Sequence, residues 1–95
     1  MILIVSVPRS PFHRYSVPMP NIQEQLGGRI RDLRKKRGWT QEQLAAAAGR
    51  HWTYIGGIER GERNITVEVI GDIAYALDVN IEELFRGVRA TRTKR

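Results

Sequence analysis

Residues 40–61 read TQEQLAAAAGRHWTYIGGIERG and are the most informative part of the sequence about its fold. Thr40 and Gln43 have the spacing of a capping box, in which each side chain satisfies a free backbone amide where a helix begins. The residues that follow are mostly strong helix formers and lead to Gly49, which favours a left-handed turn. A second short helix is predicted from Trp52 to Arg60, with a glycine cap directly after it. The stretch therefore predicts two short helices joined by a tight turn.

Small and apolar residues indicate how these two helices pack. Ala45 allows the helix axes to approach closely, and Ile55 and Ile58 give the second helix an apolar face. These side chains would hold the second helix at a steep angle to the first. A helix held in this way projects from the protein and fits a DNA major groove, which is about 12 Å wide.

Another helix is predicted before this pair. Apolar residues recur there at intervals of three and four, as on the buried face of an amphipathic helix. They are Ile22, Leu26, Ile30 and Leu33. Gly38 ends the helix after a cationic last turn. Because Gly27 and Gly28 weaken its beginning by roughly 1 kcal/mol each relative to alanine, we expect the firm part to start near Arg29.

Two more helices are predicted after the pair. Thr66 can cap a fourth helix by accepting a hydrogen bond from a free amide. The side chains expected to point inward from it are Val67, Ile70, Ile73, Ala74 and Leu77. Asn80 and Glu83 have capping-box spacing and predict a short fifth helix, Ile81 to Phe85.

The two ends of the chain differ from this helical region in composition. Residues 1–21 contain all four prolines, which predicts a non-helical N-terminal arm. Within it, Met1–Val7 is either a strand that pairs with a second subunit or a disordered leader. Residues 87–95 form a basic tail. We therefore expect one all-α, five-helix domain at residues 22–86, containing a helix-turn-helix.

The net charge of +6 is unevenly distributed. Residues 29–37 hold six basic side chains against one acidic side chain, and residues 86–95 hold five basic side chains and no acidic one. Two basic blocks of this kind are typical of a surface that binds phosphates. A solvated cationic surface without a partner is the alternative interpretation.

Several classes of function are disfavoured. Without cysteine there is neither a disulfide framework nor a thiolate metal site, which favours a reducing, cytoplasmic location. Met1–Val7 is too short to span a membrane. The two histidines lie in different contexts, and neither a nucleophile–base pair nor a phosphate-binding loop is recognisable. We therefore expect no enzymatic activity, no metal site, no cofactor and no membrane association.

The pattern resembles a known family. Thr40–Ala45, Gly49 and Tyr54–Asn64 are similar to the helix-turn-helix of the phage repressor and Cro family, also called the xenobiotic-response-element family. The similarity extends from about Leu26 to Phe85, and it is greatest to the controller proteins of restriction-modification systems. It implies a five-helix transcriptional regulator that binds double-stranded DNA sequence-specifically, either as a repressor or as a controller-type autoregulator. It also implies a homodimer on a palindromic operator and a contact with RNA polymerase.

The resemblance assigns roles to individual residues. Those expected to contact bases, at the start of the third helix, are Trp52, Thr53, Tyr54 and Gly57. Thr53 is the principal candidate, because its hydroxyl can bond a base edge while its methyl meets a thymine methyl. The residues expected to contact phosphates are Gln41, Arg50, His51, Arg63 and Asn64. For His51 a helix cap is the alternative role, and Arg34 and Glu59 are expected to form a structural bridge.

Two departures from the family pattern qualify these roles. Controller proteins often have arginine where this chain has Trp52, so bidentate readout of guanine is not expected there. An apolar residue normally follows the turn glycine, where this chain has Arg50; we expect its stem to cover the core while its guanidinium reaches a phosphate.

One recognition helix reads too few base pairs for useful selectivity, so we expect two copies to act together. The residues expected at the dimer interface are Val79, Ile81, Leu84 and Phe85. The alternative is that these side chains close the core of one subunit. A second hypothesis for the function is a protein-interaction module, such as the antitoxin partner of a toxin, because Met1–Val7 is an apolar arm.

Overall fold

The computed structural model describes residues 20–93, and within this range it contains five helices and no strand. They are α1 (Ile22–Lys36), α2 (Gln41–Ala48), α3 (Trp52–Glu59), α4 (Val67–Leu77) and α5 (Ile81–Leu84). The prediction of an all-α, five-helix domain is confirmed. The two interpretations of Met1–Val7 concern a segment that lies outside the described residues.

Two capping boxes set where α1 and α2 begin. The Thr40 hydroxyl accepts from the backbone N–H of Gln43 at 3.1 Å, and the Gln43 amide oxygen accepts from the N–H of Thr40 at 2.7 Å, as the sequence predicted. Asn21 and Glu24 make the same reciprocal pair at 2.8 and 3.0 Å. Because this second box secures the first turn of α1, the expectation that the firm part starts only near Arg29 is wrong.

Gly27 allows α1 to cross α3 at very short distance. A Cβ atom at this position would lie 2.1 Å from the carbonyl oxygen of Ile58 and 2.9 Å from that of Glu59. The neighbouring Gly28 faces open space, and no atom lies within 4 Å of the place its Cβ would occupy. The two glycines therefore have opposite roles, and only Gly27 is required by the packing.

The core is formed by apolar side chains from all five helices. Its members are Leu26, Ile30, Leu44, Ala45, Ala48, Ile55, Ile58, Val69, Ile73, Ala74, Leu77 and Leu84. The inward face predicted for α4 needs one correction, because Val67 is 80% exposed and Val69 is buried in its place. Val67 is the first residue of α4 and its side chain lies outside the core, and Ile70 is only partly buried.

The predicted second capping box, at α5, is also wrong. Asn80 precedes α5 but its side chain makes no capping hydrogen bond. The Glu83 carboxylate pairs instead with Arg29 of α1, at 3.0 Å, and the Glu83 carbonyl accepts from Nε of Arg29 at 2.8 Å. Arg86 also pairs with this carboxylate, at 2.7 Å, and ion pairs with guanidinium groups are stronger than a bond to a neutral amide, so the two arginines hold the carboxylate.

Replacing Gly27 by alanine is expected to destabilise the protein by about 1–3 kcal/mol, because the added methyl group overlaps backbone atoms that cannot rotate away. Gly28→Ala is the matched control, and it is expected to stabilise by about 0.5–1 kcal/mol, since alanine is the better helix former and has room there. Urea unfolding followed by circular dichroism measures both. Shifts of the same sign for the two variants would contradict the close crossing.

Candidate nucleic-acid interface

The turn between α2 and α3 places these helices against each other. Gly49 ends α2 with φ 68° and ψ 35°, the left-handed conformation that glycine adopts without strain. The backbone N–H of Arg50 then returns to the carbonyl oxygen of Ala45 at 2.9 Å, which closes the turn. Ala45 and Ile55 are both buried in the same core. The start of α3 follows directly from this turn and is held by the core behind it.

The two halves of α3 have opposite exposure. Its second half, Ile55–Glu59, is buried. In the first turn Trp52 is 49% exposed, Thr53 is exposed, and Tyr54 is half-buried. Among the described residues, the first turn of α3 is therefore the part of this helix that is open to a partner.

His51 caps this exposed turn. Its Nδ1 atom accepts from the backbone N–H of Thr53 at 3.3 Å and lies 2.9 Å from the Thr53 hydroxyl oxygen. The imidazole is also nearly parallel to the Trp52 ring, with 24° between the planes and 6.4 Å between the centroids. The side chains of residues 51 to 53 are thus arranged relative to one another before any ligand binds.

A buried ion pair joins α3 to α1. Arg34 donates to Glu59 through Nε at 2.6 Å and Nη2 at 2.9 Å, and the two side chains are only 9% and 2% exposed. Nη1 of Arg34 donates to the carbonyl oxygen of Trp39 at 2.7 Å, and Gln41 donates to Glu59 at 3.0 Å. Hydrogen bonding to Glu59 raises the pKa of Arg34. The network thus satisfies both charges and also draws the start of α2 toward α3.

The loop after α3 presents polar groups beside the exposed turn. The guanidinium of Arg63 lies over the Tyr54 ring, 5.4 Å from its centroid, and Arg63 remains exposed. Asn64 is exposed and accepts from the side chain of Gln23 at the start of α1. Gly57 is buried, and Arg63 lies against the position its Cβ would take. Gly57 therefore has little surface of its own for the base contact expected from the sequence.

Two side chains expected at phosphates are engaged within the chain. Arg50 pairs with Asp72 of α4, so its guanidinium does not extend freely as predicted. Nε of Arg50 is buried and has no hydrogen-bond partner among the described residues. The Gln41 side-chain amide donates one N–H to Glu59, so its second N–H and the uncapped backbone N–H groups at the start of α2 are the donors that remain there.

The basic block at residues 29–37 is only partly available to a ligand. Arg29 and Arg34 form ion pairs within the chain. Arg37 donates to the backbone carbonyl oxygen of Leu77 at 3.2 Å. Its guanidinium carbon lies 4.4 Å from the centroid of the Trp39 ring. Half of the six basic side chains in this block therefore support the fold, which the charge count did not reveal.

Gln25 was not identified from the sequence. Its side-chain amide donates to the carbonyl oxygens of Pro20 at 3.0 Å and Arg89 at 3.1 Å, and its oxygen accepts from the N–H of Arg89 at 2.8 Å. One side chain thus holds the beginning of the described chain and the basic tail together. Gln25 and Arg89 are too far apart in sequence for any local pattern to predict their contact.

The described residues lack features of some other sites. Within residues 20–93 no helix is long and apolar enough to cross a membrane. In the same range no three histidine, aspartate or glutamate side chains converge in a way that would hold a metal ion.

Residues 30–84 match the family model described as helix-turn-helix. The chain belongs to the helix-turn-helix family. Control protein C.SmaI of Serratia marcescens is 41% identical over 64 residues, which cover 67% of this chain and 76% of that protein. The crystal structure of the restriction-modification controller protein C.AhdI from Aeromonas hydrophila superimposes with a TM-score of 0.66 at 43% identity, covering 66% of this chain and 96% of that one.

A third similar protein has been solved with DNA. The restriction-modification controller protein C.Esp1396I, as a tetramer in complex with its natural 35 base-pair operator, has a TM-score of 0.67 and 31% identity, over 74% of this chain and 92% of that one. The resemblance to restriction-modification controllers that the residue pattern indicated is therefore confirmed.

Replacing Arg34 by methionine is expected to destabilise the protein by about 3–5 kcal/mol, because Glu59 would remain buried with an uncompensated charge. Arg60→Met is the matched control. Arg60 pairs with Glu62 at 3.1 Å and lowers the pKa of that carboxyl, but both side chains are largely exposed. The urea midpoint of Arg60→Met should therefore stay close to that of the parent protein. Equal losses in the two variants would contradict a special role for the buried pair.

Proposed function

We propose that the chain is a sequence-specific regulator of transcription that binds double-stranded DNA as a homodimer on a palindromic operator, in the manner of a restriction-modification controller. The observation that carries the proposal is the division of α3, whose second half is buried while its first turn is open. A short helix held by its rear and exposed at its N-terminal turn suits a major groove. The similarity to a controller protein solved on its operator supports the same assignment.

In this proposal the first turn of α3 reads bases. Thr53 is exposed and its hydroxyl and methyl groups match the polar and apolar features of a base edge. Trp52 presents half of its surface and one N–H donor, which suits thymine methyls or sugars better than guanine. Tyr54 is half-buried and contributes at most its edge.

Phosphate contacts come from groups on either side of that turn. Arg63 is exposed beside Tyr54, and Asn64 follows it in the same loop. His51 is exposed at the beginning of α3, and in the first turn of α2 the backbone N–H groups of Gln41 and Glu42 have no partner within the helix, whereas that of Gln43 is capped by Thr40. These contacts set the position of the protein on the duplex without selecting a sequence.

The proposed dimer surface lies around α5. Ile81 is 49% exposed, while Val79 and Phe85 are partly buried and pack at the edge of the core. Leu84 must be removed from the interface expected from the sequence, because it is 0% exposed and closes the core of one subunit. Tyr75 is exposed and lines the same groove as Val79, so it belongs to the proposed surface.

The proposal includes repression by occupying a promoter, a contact with RNA polymerase, and a cytoplasmic location. The similar proteins C.SmaI and C.AhdI are controller proteins, which supports a regulatory function rather than a catalytic one. The alternative of a protein-interaction module depended on Met1–Val7, which lies outside the described residues, and no described feature favours it.

Selection of bound duplexes from random DNA tests the proposal, and Thr53→Ala tests its central residue. The parent protein should select a palindromic site. Thr53→Ala should lose discrimination at one base pair per half-site, at a cost of about 1–2 kcal/mol, because one base edge loses its partner.

Arg63→Ala tests the phosphate contacts in the same experiment, and Arg31→Ala is its matched control. Arg63→Ala should weaken all sequences alike and reduce the slope of log K against log salt by about 2, because each subunit of the dimer loses one phosphate contact. Arg31→Ala removes the same charge from an exposed position of α1 that is part of neither the proposed DNA contacts nor the proposed dimer surface, and it should leave that slope nearly unchanged. Equal affinity of the parent protein for every duplex would refute the regulator assignment.

Ile81→Asp is expected to shift the protein from dimer to monomer, because a charge would be buried when two α5 surfaces meet. Val67→Asp introduces the same charge at an exposed apolar position at the N-terminal end of α4, away from α5, and should leave the dimer intact. Sedimentation equilibrium measures both. If both variants stay dimeric while remaining folded, the interface lies elsewhere.

A further inference from the structure

The contact between His51 and Thr53 does more than cap a helix. One nitrogen of the imidazole, Nδ1, is 3.3 Å from the backbone nitrogen of Thr53 and 2.9 Å from its hydroxyl oxygen. Both groups of Thr53 therefore face the same atom. This shared atom restricts what the hydroxyl can do.

The direction of each hydrogen bond follows from the chemistry of the three groups. A backbone N–H can only donate, so Nδ1 of His51 accepts and carries no proton. The ring proton is then on Nε2, because a neutral imidazole has one N–H. Since an unprotonated Nδ1 has nothing to donate, the Thr53 hydroxyl is the donor in the second contact, and its proton and that of the backbone N–H share the single Nδ1 lone pair.

Donating to His51 leaves the Thr53 hydroxyl as an acceptor toward any other partner. A free hydroxyl rotates to suit a donor or an acceptor and so distinguishes poorly between them. Here the hydroxyl proton of Thr53 is directed at Nδ1 of His51. The lone pairs of the hydroxyl oxygen can therefore accept a hydrogen bond on the exposed side of the turn. The nearly parallel Trp52 ring beside the imidazole helps to hold this arrangement.

We propose that His51 determines the hydrogen-bonding polarity of Thr53, so that Thr53 reads an amino group on a base and disfavours a carbonyl oxygen in the same place. The amino groups in the major groove are N6 of adenine and N4 of cytosine, whereas O6 of guanine and O4 of thymine are acceptors. His51 is thus a positioning residue that sets specificity through Thr53. This inference rests on the proposed function, in which the first turn of α3 faces the bases.

His51 also gains a defined contact of its own. With the proton on Nε2, the ring has a donor on the side opposite the cap. A donor at that position suits a phosphate oxygen, which is the contact expected for His51 from its place in the sequence.

Duplexes with single atoms removed test the polarity. The base pair read by residue 53 is first located as the one whose discrimination is lost in Thr53→Val. At that pair, purine replaces adenine or a pyrimidinone replaces cytosine to remove the amino group, and 2-aminopurine replaces guanine to remove the carbonyl. Loss of the amino group should weaken binding by the full chain about fivefold, the worth of one neutral hydrogen bond, and have no effect in Thr53→Val.

Two variants of the cap separate polarity from helix stability. His51→Asn keeps an acceptor, Oδ1, at the same number of bonds from the backbone as Nδ1, and asparagine caps helices well. It should retain the fivefold preference for the amino group. His51→Ala removes the acceptor and frees the hydroxyl, so the preference should fall toward onefold while Thr53 still contributes to affinity.

Nuclear magnetic resonance of the ring nitrogens provides a test that requires no DNA. In the free protein the proton of His51 should be on Nε2, with the signals assigned by their absence in His51→Asn. A proton on Nδ1 would overturn the inference, as would binding that depends on the base carbonyl instead of the amino group. In either case a selected palindrome would leave the proposed function standing, whereas the absence of any preferred sequence would remove the proposed function itself.

Discussion

The buried pair of Arg34 and Glu59 is the constraint on which the arrangement of the other helices depends. Its two hydrogen bonds, 2.6 and 2.9 Å long, join α1 to the last residue of α3. Gln41 extends the network to the first residue of α2. Desolvation offsets much of the attraction between buried charges, so the main effect of the pair is geometric. The pair anchors the C-terminal end of α3, because a shift of this helix would leave a buried charge without its partner.

The anchoring divides α3 into a structural half and an accessible half. Behind the pair, Gly27 lets the backbone of α1 contact the carbonyls of α3 directly, which leaves no room for the helix to shift. In front, the left-handed turn at Gly49 and the cap at His51 set the first turn of α3. Exposed side chains on a helix fixed at both ends have few conformations to lose on binding, which favours specific recognition.

Local patterns predicted the fold well where the stabilising contacts are also local. The capping box of Thr40 and Gln43 spans three residues, and the turn glycine acts through its own dihedral angles, so both were visible in the sequence. The same reasoning failed at Glu83, whose carboxylate binds Arg29 in a different helix. Asn21 and Glu24 have the same local spacing and do form a capping box, which offsets the weakening that the two glycines of α1 predicted for the start of that helix.

Spacings of a few residues were enough to predict the five helices, the tight turn between α2 and α3, the family, and the residues that begin the third helix. Which of the candidate residues are free became clear from the packing of the helices. Leu84 is in the core, Arg50 is paired with Asp72, and Gly57 lies beneath another side chain. The first two outcomes depend on partners distant in sequence and the third on Arg63 in the following loop, and competition among such partners is resolved only when the chain packs.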